Sequence, residues 1–184
     1  MDIIKSIVDG CVAGQYSVYF GRVCEVDAED ISRMPAAVLG WDPGVNGGIS
    51  VLDARGHPIF VQPFRDRMTE IEACRVAWDA SDALLKAGGW EAYCEKVHHM
   101  TGDGGQGSHT FGYIKGLVRG AFRTKGLILF DVPPQLWQAK LECLTGGDKR
   151  VSKARAVELF PGIKITHNVA DSLLIALYGR LIRA

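Results

Sequence analysis

Apolar residues fall into two rhythms along this chain, and the switches between them mark its elements. From residue 36 to 64 they gather in short runs closed by turn formers. Ala36–Trp41 runs into Asp-Pro-Gly, and Gly48–Asp53 and Pro58–Phe64 are linked by Ala-Arg-Gly-His. Runs of that length with those stops predict three consecutive strands. The interval then lengthens. Ile71, Cys74, Trp78 and Leu85 recur at helical spacing, which predicts an amphipathic helix over 66–87 ended by Gly88-Gly89. Trp90–Val97 returns to strand composition. Residues 98–109 are too glycine-rich for regular structure, and Ser108 is placed to cap a helix carrying Phe111, Ile114, Val118 and Phe122 on one stripe. Leu127–Val132, closed by Pro133-Pro134, predicts another strand. Helices are expected at about 134–143, 152–160 and 168–183, with Ser152 capping the second and Pro161-Gly162 stopping it.

Residues 1–35 form an N-terminal appendage of unclear role. Tyr16–Phe20 and Arg22–Val26 have strand composition around Gly21, and 28–34 suggests a short helix stopped by Pro35. There is no internal repeat. The order from residue 36 onward predicts one α/β domain over 36–184, a mixed sheet flanked by helices.

Composition narrows the function. A chain of 184 residues, 47% hydrophobic and 23% charged, fits one globular domain. No run of about 20 apolar residues is present, so no membrane span is expected. The start MDIIKSIVDG lacks the pattern of a secretory signal, and six acidic residues before position 31 argue against a transit peptide. Five scattered cysteines without a CxxC pair suggest neither a zinc site nor a disulfide framework, and favour a reducing compartment. A formal net charge of zero is mild evidence against a nucleic-acid partner. Its distribution points the other way: from Lys115 onward twelve Lys and Arg face five Asp and Glu.

Three acidic residues sit where elements end. Asp42 closes the first of the three strands, Glu95 lies near the end of the 90–97 strand, and Asp171 opens an otherwise apolar helix. Each alone has an ordinary explanation: a turn former, an exposed strand residue, a carboxylate at the positive end of a helix dipole. Together they suit another chemistry. Phosphodiester cleavage with Mg²⁺ uses two ions about 4 Å apart, and a hard cation takes oxygen ligands.

The segments Val-Leu-Gly-Trp-Asp42-Pro-Gly-Val-Asn-Gly-Gly, Tyr93-Cys-Glu95-Lys-Val and His167-Asn-Val-Ala-Asp171-Ser-Leu-Leu-Ile-Ala-Leu-Tyr resemble, in order, the three catalytic motifs of RuvC-type Holliday junction resolvases. Pro134-Gln-Leu-Trp137, Asp148-Lys149 and Glu158-Leu-Phe-Pro161 resemble the phage and chloroplast branch of that family. The resemblance spans about residues 36–184. It implies an RNase H-like fold, with a five-stranded sheet whose first three strands are antiparallel. It implies a Mg²⁺-dependent endodeoxyribonuclease (Mn²⁺ substituting), with two ions per site held by Asp42, Glu95, Asp171 and His167. It further implies a homodimer that grips a four-way DNA junction and nicks it symmetrically. The 108–125 helix would form the dimer contact, unless its stripe faces the core.

Bacterial members often carry a carboxylate three residues before the final Asp, where this chain has Asn168, natural or introduced. His167, one turn before Asp171, is the alternative fourth group. For DNA binding the resemblance singles out His98, beside the Gly102–Gly107 loop, and Lys149 and Lys153 near the last helix. Lys115 and Arg119 share a helical face suited to a phosphate track, or equally to solvent. Three other readings stay open: a nuclease of the same fold acting on RNA or RNA–DNA hybrid, a catalytically silent junction-binding protein, and a kinase-like ATPase, for which 184 residues are too few. The expected location follows the DNA: cytoplasm or nucleoid of a bacterial or phage-infected cell, or an organelle.

Overall fold

The computed structural model describes residues 16–19, 22–25, 37–44, 46–65, 68–97 and 105–183, the first two segments and 105–108 by their backbone only. The sheet holds five strands: β3 (Ala37–Asp42), β4 (Gly48–Asp53), β5 (Pro58–Pro63), β6 (Glu91–Glu95) and β7 (Ile128–Val132), in the order β5-β4-β3-β6-β7. The β3–β4 and β4–β5 pairs are antiparallel, while β3–β6 and β6–β7 are parallel. A separate antiparallel pair, β1 (Tyr16–Tyr19) and β2 (Arg22–Glu25), matches the strand composition of the appendage. The helix expected at 28–34 lies outside the described residues.

Central position makes β3 buried throughout, and its period-two alternation feeds two cores. Leu39 and Trp41 point toward helices α1 (Glu70–Lys86) and α2 (Gly105–Thr124). Val38 points toward the layer of α3 (Pro134–Lys140), α4 (Lys149–Leu159) and α5 (His167–Arg183). Helix α5 lies directly on β3. A methyl group added at Gly40 would stand 2.1 Å from the Ser172 carbonyl oxygen and 2.3 Å from the Ala176 nitrogen, so only glycine permits this approach. Ser50 Oγ and Ser172 Oγ, 2.7 Å apart, tie α5 to β4. At its other end Arg183 pairs with Glu91 at 2.9 Å and donates to the Tyr93 hydroxyl.

Several local expectations need correction. The buried face of α1 is Ala73, Ala77, Ala80, Ser81 and Leu84, whereas Ile71, Trp78 and Leu85 are exposed. Small side chains let α1 lie close to the sheet and turn the large ones outward. The helix expected from 66 begins at Glu70, where Thr69 caps it through a reciprocal bond with Glu72. Helix α2 begins at Gly105, so Ser108 is inside it and residues 105–109 are helical rather than loop. Asp148, not Ser152, caps α4 by accepting from the Arg150 N–H; Ser152 is buried one turn inside. Val118 and Phe122 face the core, with Phe122 edge-on to Trp41 at 5.4 Å, so that stripe is not a free interface.

Candidate active site

The three carboxylates come from separate elements and reach one end of the sheet. Asp42 and Glu95 lie on the same face of neighbouring parallel strands, each one step beyond the Trp41–Cys94 pair. The α5 side of that face supplies Asp171, carried there because Gly40 lets the helix settle on β3.

Each carboxylate is held by this chain through particular contacts. The Asp-Pro-Gly turn folds back so that the Gly44 N–H donates to Asp42 Oδ1 at 3.1 Å. Gly47 leaves the room this needs, since an added methyl there would stand 2.8 Å from the Asp42 carboxyl carbon. Trp137 Nε1 donates to Glu95 Oε2 at 3.0 Å. Ser152 Oγ donates to the Lys149 carbonyl at 3.3 Å and, close to Asp171, favours its charged form. Asp171 Oδ1 nevertheless is buried without a hydrogen-bond partner among the described residues.

Electrostatics show what the site lacks. Burial pushes Asp42 up to about 6, and the neighbouring Asp171 charge adds to that. Burial again, then Asp42 and Asp171, push Glu95 up to about 7. Burial also raises Asp171, against Ser152, Lys149 and His167. Lys149 is the cation that lowers all three carboxylates. One buried and two half-buried acids, with Asp171 opposing the ionisation of the other two and one oxygen orphaned, favour a cation in their midst. The donor set is all-oxygen and hard, which suits Mg²⁺ or Mn²⁺. Among the described residues no three His, Cys, Asp or Glu side chains close on a single metal position.

The remaining sequence candidates scatter. His167 opens α5, is exposed, and acts on both Asp171 and Asp148. Asn168 donates its amide to the Phe64 carbonyl at 3.3 Å. A carboxylate cannot make that bond, so the amide fits its place. Lys153 is half-buried on α4. Arg119 is taken up by Asp131 at 2.6 Å and binds α2 to β7, which removes it from a free phosphate track. Lys115 lies over the Phe111 ring and, like Arg119, acts on Cys94, which faces the α1–α2 core rather than the carboxylate face. His98 and residues 99–104 lie outside the described residues. Sequence reasoning missed Ser152 and the hydrogen-bonding role of Trp137. Only the resemblance had drawn attention to Trp137, and neither residue carries a charge that would flag it.

No protein-family model and no curated protein sequence matches the chain. Solved structures do. "T. thermophilus RuvC in complex with Holliday junction substrate" superposes with a TM-score of 0.60 at 17% identity, covering 80% of this chain and 95% of that one. A "Thermus thermophilus RuvC structure" gives 0.55 at 18%, covering 77% and 92%. At this identity the likeness establishes the fold: RNase H-like, a five-stranded mixed sheet flanked by helices.

Proposed function

We propose that the protein is a divalent-metal-dependent DNA endonuclease that resolves four-way junctions. The observation that carries this reading is the convergence of Asp42, Glu95 and Asp171, with the orphaned Asp171 oxygen, on a fold shared with RuvC. When bound, two Mg²⁺ or Mn²⁺ ions would activate water and stabilise the leaving oxygen. Asp42, with Glu95 and Asp171 flanking it, would hold them. The chain's own part is to fix the Asp42 and Glu95 oxygens through Gly44 and Trp137, with Ser152 close to Asp171, and to shield the acids partly from bulk water. Lys149, beside all three acids, is placed to meet the scissile phosphate, and Lys153 the adjoining backbone. His167 orients water or tunes the ion at Asp171. His98, on the segment following β6, approaches the junction.

Symmetric nicking requires two sites related by the junction's own two-fold axis, hence a homodimer. Since Val118 and Phe122 are buried, the interface moves to the outer face of α1 and α2. There Ile71 is 71% and Trp78 47% exposed, beside exposed Tyr113 and the open glycines Gly112, Gly116 and Gly120. A cleft of about 420 Å³ lined by Ile71, Cys74 and Trp78 lies on this face. Among the described residues no helix is long and apolar enough to cross a membrane. The place of action proposed is wherever branched DNA forms, the bacterial cytoplasm or nucleoid first.

The test is incubation of the purified protein with labelled four-way junction, duplex and RNA–DNA hybrid, with and without Mg²⁺. Paired nicks in the junction alone, only with metal, are expected. Cutting of the hybrid instead would move the reading to a different nuclease of the same fold, and binding without cutting would make it a silent junction binder.

A further inference from the structure

Trp137 is fully buried, yet its indole nitrogen reaches a residue 42 positions earlier in the chain, on a different element. Several features bring it there. The Lys96 N–H bonds the Val132 carbonyl at 2.8 Å, so the end of β7 lies beside the end of β6. Pro133 and Pro134 then start α3 at once, and its first turn lays Trp137 over Glu95. Helix α4 clamps the far end of α3: Arg155 Nε donates to the Leu141 carbonyl at 2.9 Å, and its guanidinium pairs with Glu158 at 2.8 Å and Glu142 at 3.4 Å. Glu142, at φ 57°, holds a left-handed conformation that side chains other than glycine avoid. This bracing sets the indole against one oxygen of one acid.

We infer that Trp137 is a positioning residue: its indole N–H fixes Glu95 by Oε2 and so presents the other carboxylate oxygen to the divalent cation. The inference rests on the metal-site reading above. An indole suits the task because it donates one hydrogen bond and bears no charge. A Lys or Arg there would neutralise Glu95 and compete with the ion. A neutral donor orders the carboxylate and leaves its charge to the metal, so the ordering entropy of the glutamate is met on folding rather than on ion binding. The bland reading is that a buried indole merely needs an acceptor. The two differ in what happens when the N–H alone is removed.

The decisive variant replaces Trp137 in the full chain by benzothienylalanine, which has the same shape with sulfur in place of N–H. Trp137→Phe is the simpler companion. Mn²⁺ binding is measured by calorimetry, alongside melting temperature and junction affinity without metal. The expected result is Mn²⁺ binding weakened about 10-fold or more, the usual effect of losing an outer-shell partner, with junction affinity unchanged. In a Glu95→Gln background the isostere should make no further difference. Wild-type Mn²⁺ affinity in the isostere, or an equal loss in the Glu95→Gln background, overturns the inference. Binding by the wild type that Asp42→Asn abolishes secures the metal site independently; wild type that takes no Mn²⁺ overturns the metal reading and this inference with it.

Discussion

Helices α5 and α1 meet the sheet in the same way, through Ser172, Ala176 and Gly179 on one and Ala73, Ala77, Ala80 and Ser81 on the other. Their large side chains part company. On α5 Leu173, Leu174, Ile175 and Leu177 are buried on several sides, because β3 lies beneath and α3 and α4 lie around it. On α1 Leu84 is buried, but Ile71, Trp78 and Leu85 stay exposed, Trp78 under the Lys125 ammonium at 3.7 Å. Both helices approach closely, but only α5 is enclosed. Enclosure holds Asp171 beside Asp42 and Glu95 and strips it of water. Exposure leaves α1 a surface that suits a second subunit. The first arrangement favours chemistry and the second recognition.

The largest expected effect is on the enclosed side. Asp42→Asn should cut nicking by about 1,000-fold or more, roughly 4 kcal/mol of barrier, while junction binding persists through phosphate contacts. A gel shift run beside a nicking assay checks this, and parallel loss of both would place Asp42 in binding instead. Gly40→Ala should destabilise the fold by about 3 kcal/mol, lowering Tm by roughly 6–12 °C, because backbone atoms of α5 stand where the methyl would go. Gly116→Ala, with open space around it, should instead add about 0.5–1 kcal/mol from helix propensity. Calorimetric melts of the pair compare the two packings directly, and equal shifts would erase the contrast.

Acidity offers another handle. Asp42 and Glu95 have folded pKa values raised to about 6 and about 7, so the metal-free folded state holds their protons more tightly than the unfolded chain does. The stability this brings is present below the unfolded values and lost as pH rises through 6 to 7. Urea titrations without metal should therefore show this contribution falling between about pH 3 and pH 8, by about 3 kcal/mol from Asp42 alone, roughly half of it above pH 5. Mg²⁺ should reverse the fall, and a flat metal-free profile would contradict the mutual opposition of the acids. On the open side, Ile71→Glu should weaken dimerisation by about 2 kcal/mol, some 30-fold, with little change in Tm. Sedimentation at micromolar concentration decides that. Smaller effects belong to the pair at the start of α5. His167→Ala should slow nicking about 10-fold with affinity kept, a barrier change of ~1.4 kcal/mol. Asn168→Asp should lose its bond to Phe64, about 1 kcal/mol of stability, without raising the rate. Strong activation by Asn168→Asp with a silent His167→Ala would reverse those roles.

The strands show how far local signals reach. Gly48–Asp53 is found at its expected bounds, and the other sheet strands within one or two residues, because apolar runs and turn formers act over a few neighbours. Helix faces were less legible. The spacing of Ile71, Cys74, Trp78 and Leu85 identifies a helix, but the interleaved Ala73, Ala77 and Ala80 share the same period, and close packing favours the smaller set. Likewise Arg119 has the sequence of a phosphate contact, and Asp131, twelve residues on, claims it.

For the site, the chemical types and their places near element ends were legible along the chain: a carboxylate in a Pro-Gly turn, one ending a strand, and one expected to open the last helix, which the structure starts a turn earlier at His167. Only the tertiary structure decided that they face one another. That outcome depends on the β3–β6 register, where a slip of one residue would turn Glu95 to the other face, and on the absence of a single methyl group at Gly40. It also decided their partners. The indole of Trp137 becomes a donor to Glu95, and the hydroxyl of Ser152 a neighbour of Asp171, only after α3 and α4 pack over the sheet, since a neutral side chain has no long-range field and acts only where packing puts it.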